Sequence, residues 1–184
     1  MREVVVVDYG AGNTHSVVAA LGRLDARGRV TSDPLAIAGA DFVILPGVGS
    51  ARSAMAHLNN TGAAASLVER TRSEGSVLGI CLGLQLALES SEEDGGVTGL
   101  GLIEGTVTRL REGRVPRLGW EVVEPWGEAF YFAHSYAART PYVTASADGV
   151  TAVVEHGAFL GVQFHPEKSG PAGLDFLASC LSRV

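Results

Sequence analysis

Cys81 lies between glycines, in Gly79-Ile80-Cys81-Leu82-Gly83, where a cysteine could serve as a nucleophile. It follows the apolar run Val77 to Ile80 and precedes the helical pattern Leu82 to Glu89. That is the layout of a nucleophile elbow, in which a strand turns abruptly into a helix and the glycines admit close backbone contacts. A side chain at such a turn is thrust into a cleft. The helix N-terminus favours a thiolate, and the amide of the next residue, Leu82, is left free to stabilise an oxyanion. The same pentapeptide also fits a plain strand-to-helix turn around a small buried residue, so its meaning depends on what else the chain supplies.

A thiolate needs a base, and the chain offers His15, His57, His134, His156 and His165. His165 ends the apolar run Phe159 to Phe164 and precedes Pro166-Glu167. In an extended segment stiffened by proline, His165 and Glu167 project to one side, where a carboxylate can hold an imidazole. Cys81 would attack a carbonyl, His165 would pass the proton to the leaving amine, and Glu167 would fix the imidazole tautomer. A lone His-x-Glu also describes a surface pair at a strand end; an elbow cysteine elsewhere in the chain favours the catalytic reading. A second glycine turn, Pro46-Gly47-Val48-Gly49, ends another apolar run. Strand ends of a parallel sheet gather at one edge, so the amides of Gly47, Val48 and Gly49 could complete an oxyanion hole, although a plain turn reads the same way.

Other patterns are weaker. Gly10-Ala11-Gly12-Asn13-Thr14-His15, with Asp33 further on, has the outline of a dinucleotide-binding turn, but His15 stands where a small residue is needed for close helix-strand packing. No histidine or cysteine spacing matches a zinc site, so no metal and no cofactor is expected.

These residues require a scaffold. Val4 to Val7, Phe42 to Leu45 and Val77 to Ile80 are β-branched or apolar runs ended by turn residues, and Ser16 to Arg23 has helical character. Strand, turn and helix in repetition predict an α/β fold with parallel strands and crossover helices. From about Val97 onward short strands are expected over Gly105 to Leu110, Trp120 to Val123, Ala129 to Tyr136, Val150 to Glu155 and Phe159 to Phe164, giving a mixed sheet that extends a parallel core. The chain of 184 residues is 46% hydrophobic and shows no low-complexity linker or repeat, so a single domain over residues 1–184 is expected. A net charge of −6 without a basic stripe excludes a nucleic-acid partner. No apolar stretch approaches a membrane span, and the Met1-Arg2-Glu3 start has no signal-peptide pattern, so a soluble cytoplasmic protein is expected. Cys180, in the amphipathic stretch Leu174 to Leu181, reads as a buried inert thiol.

Taken together, the elbow extended to Leu84-Gln85 and the segment Gly161-Val162-Gln163-Phe164-His165-Pro166-Glu167-Lys168-Ser169 resemble the class I glutamine amidotransferases. Within that superfamily, Asp8-Tyr9-Gly10-Ala11-Gly12-Asn13, Pro46-Gly47-Val48-Gly49, Leu118-Gly119-Trp120 and Tyr131-Phe132-Ala133-His134-Ser135-Tyr136 resemble the glutaminase subunits of imidazole glycerol phosphate synthases, from about Val4 to Leu181. The resemblance implies a flavodoxin-like fold with a C-terminal antiparallel extension. It also implies glutamine hydrolysis through a cysteine thioester, with ammonia passed to a separate (β/α)8-barrel cyclase subunit in histidine biosynthesis. Carried over by position, Gln85, Glu93, His134, Ser135 and Tyr136 would bind glutamine, with Glu93 facing its ammonium, and Gly47 to Gly49 would form the oxyanion strand. The family further implies an oxyanion strand whose amide points the wrong way until the partner binds its own substrate. The chain departs from the family pattern at Ser50-Ala51, where phenylalanine usually follows the small residue, and at Glu121, where asparagine is usual; Ala51 and Glu121 are both expected near the partner face. Two rival readings remain: an amidase feeding another synthase, and a noncatalytic module of the same fold. The Asp8 to Asn13 and His134 to Tyr136 segments argue against the first, and the complete Cys81, His165 and Glu167 set against the second.

Overall fold

Three apolar runs form the middle of the sheet, because their residues are apolar on both faces and can be buried only between two layers of helix. In the computed structural model, residues 3–10 and 13–183 are described; Met1, Arg2, Ala11, Gly12 and Val184 lie outside the described residues, and with them part of the Asp8 to Asn13 turn and of the Met1-Arg2-Glu3 start. The first half of the chain forms β1 (Glu3–Val7), α1 (Thr14–Gly22), β2 (Arg27–Thr31), α2 (Pro34–Gly39), β3 (Phe42–Leu45), α3 (Ala51–Thr61), α4 (Ala63–Arg72), β4 (Val77–Ile80) and α5 (Leu82–Ala87). There follow β5 (Ser90–Ser91), a 3-10 turn over Glu93–Gly95, β6 (Val97–Thr98), β7 (Thr106–Arg109), β8 (Arg117–Val123), β9 (Glu128–His134) and β10 (Tyr136–Arg139). The chain ends with β11 (Val143–Ala147), β12 (Val150–His156), β13 (Phe159–Val162), a 3-10 turn over Pro166–Lys168 and α6 (Gly170–Ser182).

The central sheet has seven strands in the order β11-β12-β13-β4-β3-β1-β2. From β2 to β13 the pairing is parallel, and β12 and β11 add antiparallel to that edge. The parallel part has the 2-1-3-4-5 order of a doubly wound sheet, so the fold class expected from the sequence is the one observed. The later strands divide differently from expectation. Only Val150 to Glu155 and the start of Phe159 to Phe164 join the central sheet, whereas β7 and β10 belong to a four-stranded sheet and β8 and β9 form a separate ribbon. The run Ala129 to Tyr136 is interrupted at Ser135, which sends its two parts to different sheets.

β1 shows how the layers close. Val4, Val5, Val6 and Val7 are all fully buried; Val5 and Val7 pack with Ile37 of α2, Leu58 of α3 and Leu67 of α4, and Val4 and Val6 with Val17 and Leu21 of α1 and Leu177 of α6. Each such side chain contributes about 1.5–3 kcal/mol. Behind the sheet, Phe130 of β9 stacks on Phe164 with ring centroids 4.1 Å apart, which ties the β8–β9 ribbon to the segment leaving β13. A buried guanidinium joins α2 to α4: Arg70 donates to the carbonyls of Ile37, Ala38, Ala40, Asp41 and Ser76. No described helix is long and apolar enough to cross a membrane.

Candidate active site

Five parallel strands end on the same edge, and the turns that leave β1, β3, β4 and β13 carry the residues with chemistry. β4 ends in Cys81, whose backbone takes φ 49° and ψ −103° before α5 begins. The glycines are there because the chain passes too close for a side chain: a methyl group on Gly83 would overlap the Leu45 carbonyl, and one on Gly47 would overlap the Ile80 carbonyl and the Leu82 amide. The turn after β3 is therefore pressed against the elbow, and the Leu82 amide, in the first turn of α5, has no carbonyl of its own helix to bond. The same turn is held from below by Tyr9, whose hydroxyl donates to the Pro46 carbonyl at 2.7 Å and lies 3.5 Å from that of Val48. Burial pushes the Tyr9 phenol well up, so it remains a donor.

β13 delivers His165. Its amide donates to the Tyr131 carbonyl at 2.8 Å, its carbonyl accepts from the Ser169 hydroxyl at 2.7 Å, and Ser169 in turn accepts from the Tyr131 amide at 3.0 Å. Backbone position is thus fixed at both ends. In the side chain, Nδ1 lies 2.9 Å from Oε1 of Glu167, and both side chains are about 1% exposed. An ionised carboxylate only accepts, so Nδ1 carries the proton. Burial alone would depress His165, but hydrogen bonds to Cys81 and Glu167 and the charges on both raise it to about 9. The structure thus brings Cys81, His165 and Glu167 together, His165 bonding to both of the others.

A cleft of about 280 Å³ opens over Cys81, lined by Gly47, Val48, Gly49, Leu82, Gln85, Glu93, His134, Ser135 and Tyr136 together with Pro116, Leu118 and Ala133. Every residue expected in the glutamine and oxyanion set is in that lining; Pro116 and Leu118 are additions from the start of the β8 ribbon. The Tyr136 carbonyl organises one wall, accepting from Nδ1 of His134 at 2.8 Å and from Nε2 of Gln85 at 2.9 Å. A carbonyl can only accept, so His134 bears its proton on Nδ1 and leaves Nε2 as a lone pair, which has no partner. Burial, above all, lowers His134 to about 4, so the ring is neutral at ordinary pH.

On the other wall, Glu93 is partly buried beside Asp94, and desolvation followed by that neighbouring charge raises its carboxyl above the usual range despite a hydrogen bond from the Ala51 amide. Its turn is tied to the start of α3 by Asp94, which accepts from the Ser50 hydroxyl at 2.6 Å and the Arg52 amide at 3.1 Å. This link also corrects the expectation for Ala51. It is 1% exposed and packed in the core under α3, because the helix starts by tucking its first residue beneath the Glu93 turn. Glu121 is partly exposed and paired with Arg117, whose Nε donates to Oε1 at 2.9 Å. Asp33, the conceivable ribose contact, instead caps α2 by accepting from the Leu35 amide at 3.0 Å. Cys180 is buried in α6 with its thiol pushed up to about 12 by desolvation.

Sequence reasoning gave no role to Gln163, which is fully buried and lies 3.4 Å from the Cys81 sulfur through Nε2, nor to Tyr9 and Ser169. The available signal for Gln163 was an amide within an otherwise apolar strand sequence. Tyr9 and Ser169 gave none, because their partners are backbone groups, which carry no residue-type signal.

The fold and the cleft define a class of protein, and comparison with known proteins agrees. The family model for class-I glutamine amidotransferases matches residues 5–184, and the chain belongs to that family. Within it, the chain is 43% identical to the imidazole glycerol phosphate synthase subunit HisH of Methylococcus capsulatus, over 98% of this chain and 96% of that one. It is likewise 43% identical to the HisH subunit of Moorella thermoacetica, over 96% and 93%. Among solved structures, a glutamine amidotransferase superposes with a TM-score of 0.81 at 22% identity, covering 98% of this chain and 99% of that one. PurLQS from Thermotoga maritima superposes at 0.74 with 19% identity, covering 100% and 99%; these two likenesses concern the fold.

Proposed function

We propose that this chain is the glutaminase subunit of an imidazole glycerol phosphate synthase, hydrolysing glutamine in the cleft over Cys81 and passing ammonia to a (β/α)8-barrel cyclase subunit. The observation that carries the reading is the convergence, in one small cleft, of an elbow cysteine backed by a His165–Glu167 pair with a carboxylate short of a cation. Glu93 is desolvated and crowded by Asp94, and the ammonium of an amino acid supplies the missing positive charge. Both hydrogens of the Gln85 amide nitrogen are committed, to Tyr136 and to Gln163, so Gln85 offers substrate its oxygen.

In the mechanism, Cys81 attacks the side-chain amide carbon of glutamine and the Leu82 amide, with those of the Gly47 to Gly49 strand, holds the oxyanion. His165 then protonates the departing nitrogen, ammonia leaves, and water activated by the same imidazole cleaves the thioester. Glu167 keeps Nδ1 protonated, so that the other ring nitrogen serves the cysteine. The docking face is the β8 ribbon, where Leu118, Trp120 and Val122 stand exposed on alternate positions, and Leu118 also lines the cleft. The setting is cytoplasmic.

The test is glutamate release by the purified chain, alone and with a cyclase subunit plus its ribonucleotide substrate. Strong stimulation by the complex is expected, with Cys81→Ala inactive yet still bound to the partner. Equal turnover with and without the cyclase would move the chain to another synthase, and no hydrolysis by folded, partner-bound protein would leave a noncatalytic module.

A further inference from the structure

Gln163 occupies a place where an apolar side chain would be expected. Its neighbours in the strand sequence, Val162 and Phe164, pack together in the core layer that faces α1 and α6, and Gln163 itself is fully buried. Burying a primary amide costs free energy unless its donors and acceptor are used.

The orientation of that amide follows from a fixed point. The Tyr136 carbonyl can only accept, which places the nitrogen end of Gln85 against it at 2.9 Å. A second hydrogen on the same nitrogen then points to Gln163, 3.1 Å away, so Gln163 must present its oxygen there. Its own nitrogen is thereby turned to the Cys81 sulfur at 3.4 Å. Exchanging the two ends of either amide would bring donor against donor or acceptor against acceptor.

We propose that Gln163 is the side-chain donor to the nucleophile's sulfur, and that Gln85 fixes its direction as a positioning residue. The proposal rests on the reading of Cys81 as the nucleophile. An N–H aimed at sulfur favours the thiolate over the thiol and holds the sulfur in place for His165, which also bonds to it. Neither amide changes its covalent state. Gln85 thus acts on the thiolate without touching it, separately from whatever its oxygen offers to substrate.

The experiment is the pH dependence of Cys81 alkylation by iodoacetamide, read by peptide mass so that Cys180 does not contribute. Wild type is compared with Gln163→Met, which keeps length and removes the donor, and with Gln163→Glu, which puts an acceptor in its place. The midpoint is expected to move up by about one pH unit in Gln163→Met and further in Gln163→Glu, while the rate at the alkaline plateau is retained. Gln85→Leu should reproduce part of the shift, and Gln85→Leu combined with Gln163→Met should shift no more than Gln163→Met alone. Should either Gln163 variant fail to fold by circular dichroism, the other carries the test. Profiles of a folded Gln163 variant that superimpose on wild type would overturn the proposal; a wild-type Cys81 that does not alkylate would instead overturn the reading of Cys81 as a nucleophile.

Discussion

His165 is held at three polar positions: amide to Tyr131, carbonyl to Ser169, Nδ1 to Glu167. The imidazole therefore has little freedom of rotation, and what remains to be set is its charge. Burial lowers its pKa, but the hydrogen bonds and charges of Cys81 and Glu167 raise it to about 9, so the protonated ring is the resting form at neutral pH. Replacing Glu167 by glutamine removes one of those charges and lets an N–H compete for the place of the acceptor. We expect Glu167→Gln to lower kcat by roughly 10²- to 10⁴-fold and to move the alkaline limb of activity below pH 9, measured as glutamate release in the presence of the cyclase. An unchanged alkaline limb would mean that Glu167 does not set the imidazole charge.

At the scale of elements, the site depends on turns pressed together by the sheet, and their supports are partly remote from it. Arg70 is one: a single side chain on α4 satisfies carbonyls at the end of α2 and in the turns beside β3 and β4. Arg70→Met would leave those buried acceptors unpaired, and a loss of about 2–4 kcal/mol is expected in urea unfolding; Arg70→Lys should recover only part, since an ammonium cannot span the fork. Arg70 was not legible from the sequence, because its partners are main-chain oxygens, those of α2 and its end 29 to 33 residues away and only that of Ser76 near in sequence. By contrast β3 and β4 were legible to the residue, since continuous apolar runs bounded by Asp, Pro or Gly have few other uses. β2, reading Arg-Gly-Arg-Val-Thr, gave no such signal: it is an edge strand with mostly exposed side chains, and only pairing with β1 defines it. The cleft was legible where residue types imply chemistry, as at Cys81, His165 and Glu167. It was not legible where an ordinary residue gains meaning from its neighbours, as at Gln163 and Tyr9.

For the whole molecule, two buried histidines act on stability in opposite directions. His134 titrates near 4 in the fold and near 6.5 in the unfolded chain, so as pH falls from 6.5 to 4 the unfolded state takes up the proton first and stability is lost. His165 titrates near 9 in the fold, so its contribution is complete below 6.5 and is lost as pH rises to 9. Each is worth on the order of 3 kcal/mol at its limit. Thermal unfolding midpoints should therefore peak near pH 6.5, and His134→Gln should flatten the acid side while leaving the alkaline side. A wild-type profile that is level from pH 4 to pH 9 would contradict this. Such a maximum would lie within the range where His165 is charged and His134 neutral, the pairing of states that the cleft is built around.

The left-handed backbone at Cys81 has a consequence for lineage. A non-glycine residue there costs roughly 1–3 kcal/mol that glycine would not, and any cysteine codon is one base from a glycine codon. While hydrolysis is selected, that route is closed. Once a descendant is released from it, drift at this position has both a short path and a stability gain, so glycine at the elbow would be an early mark of a retired enzyme and cysteine there a mark of one still in service.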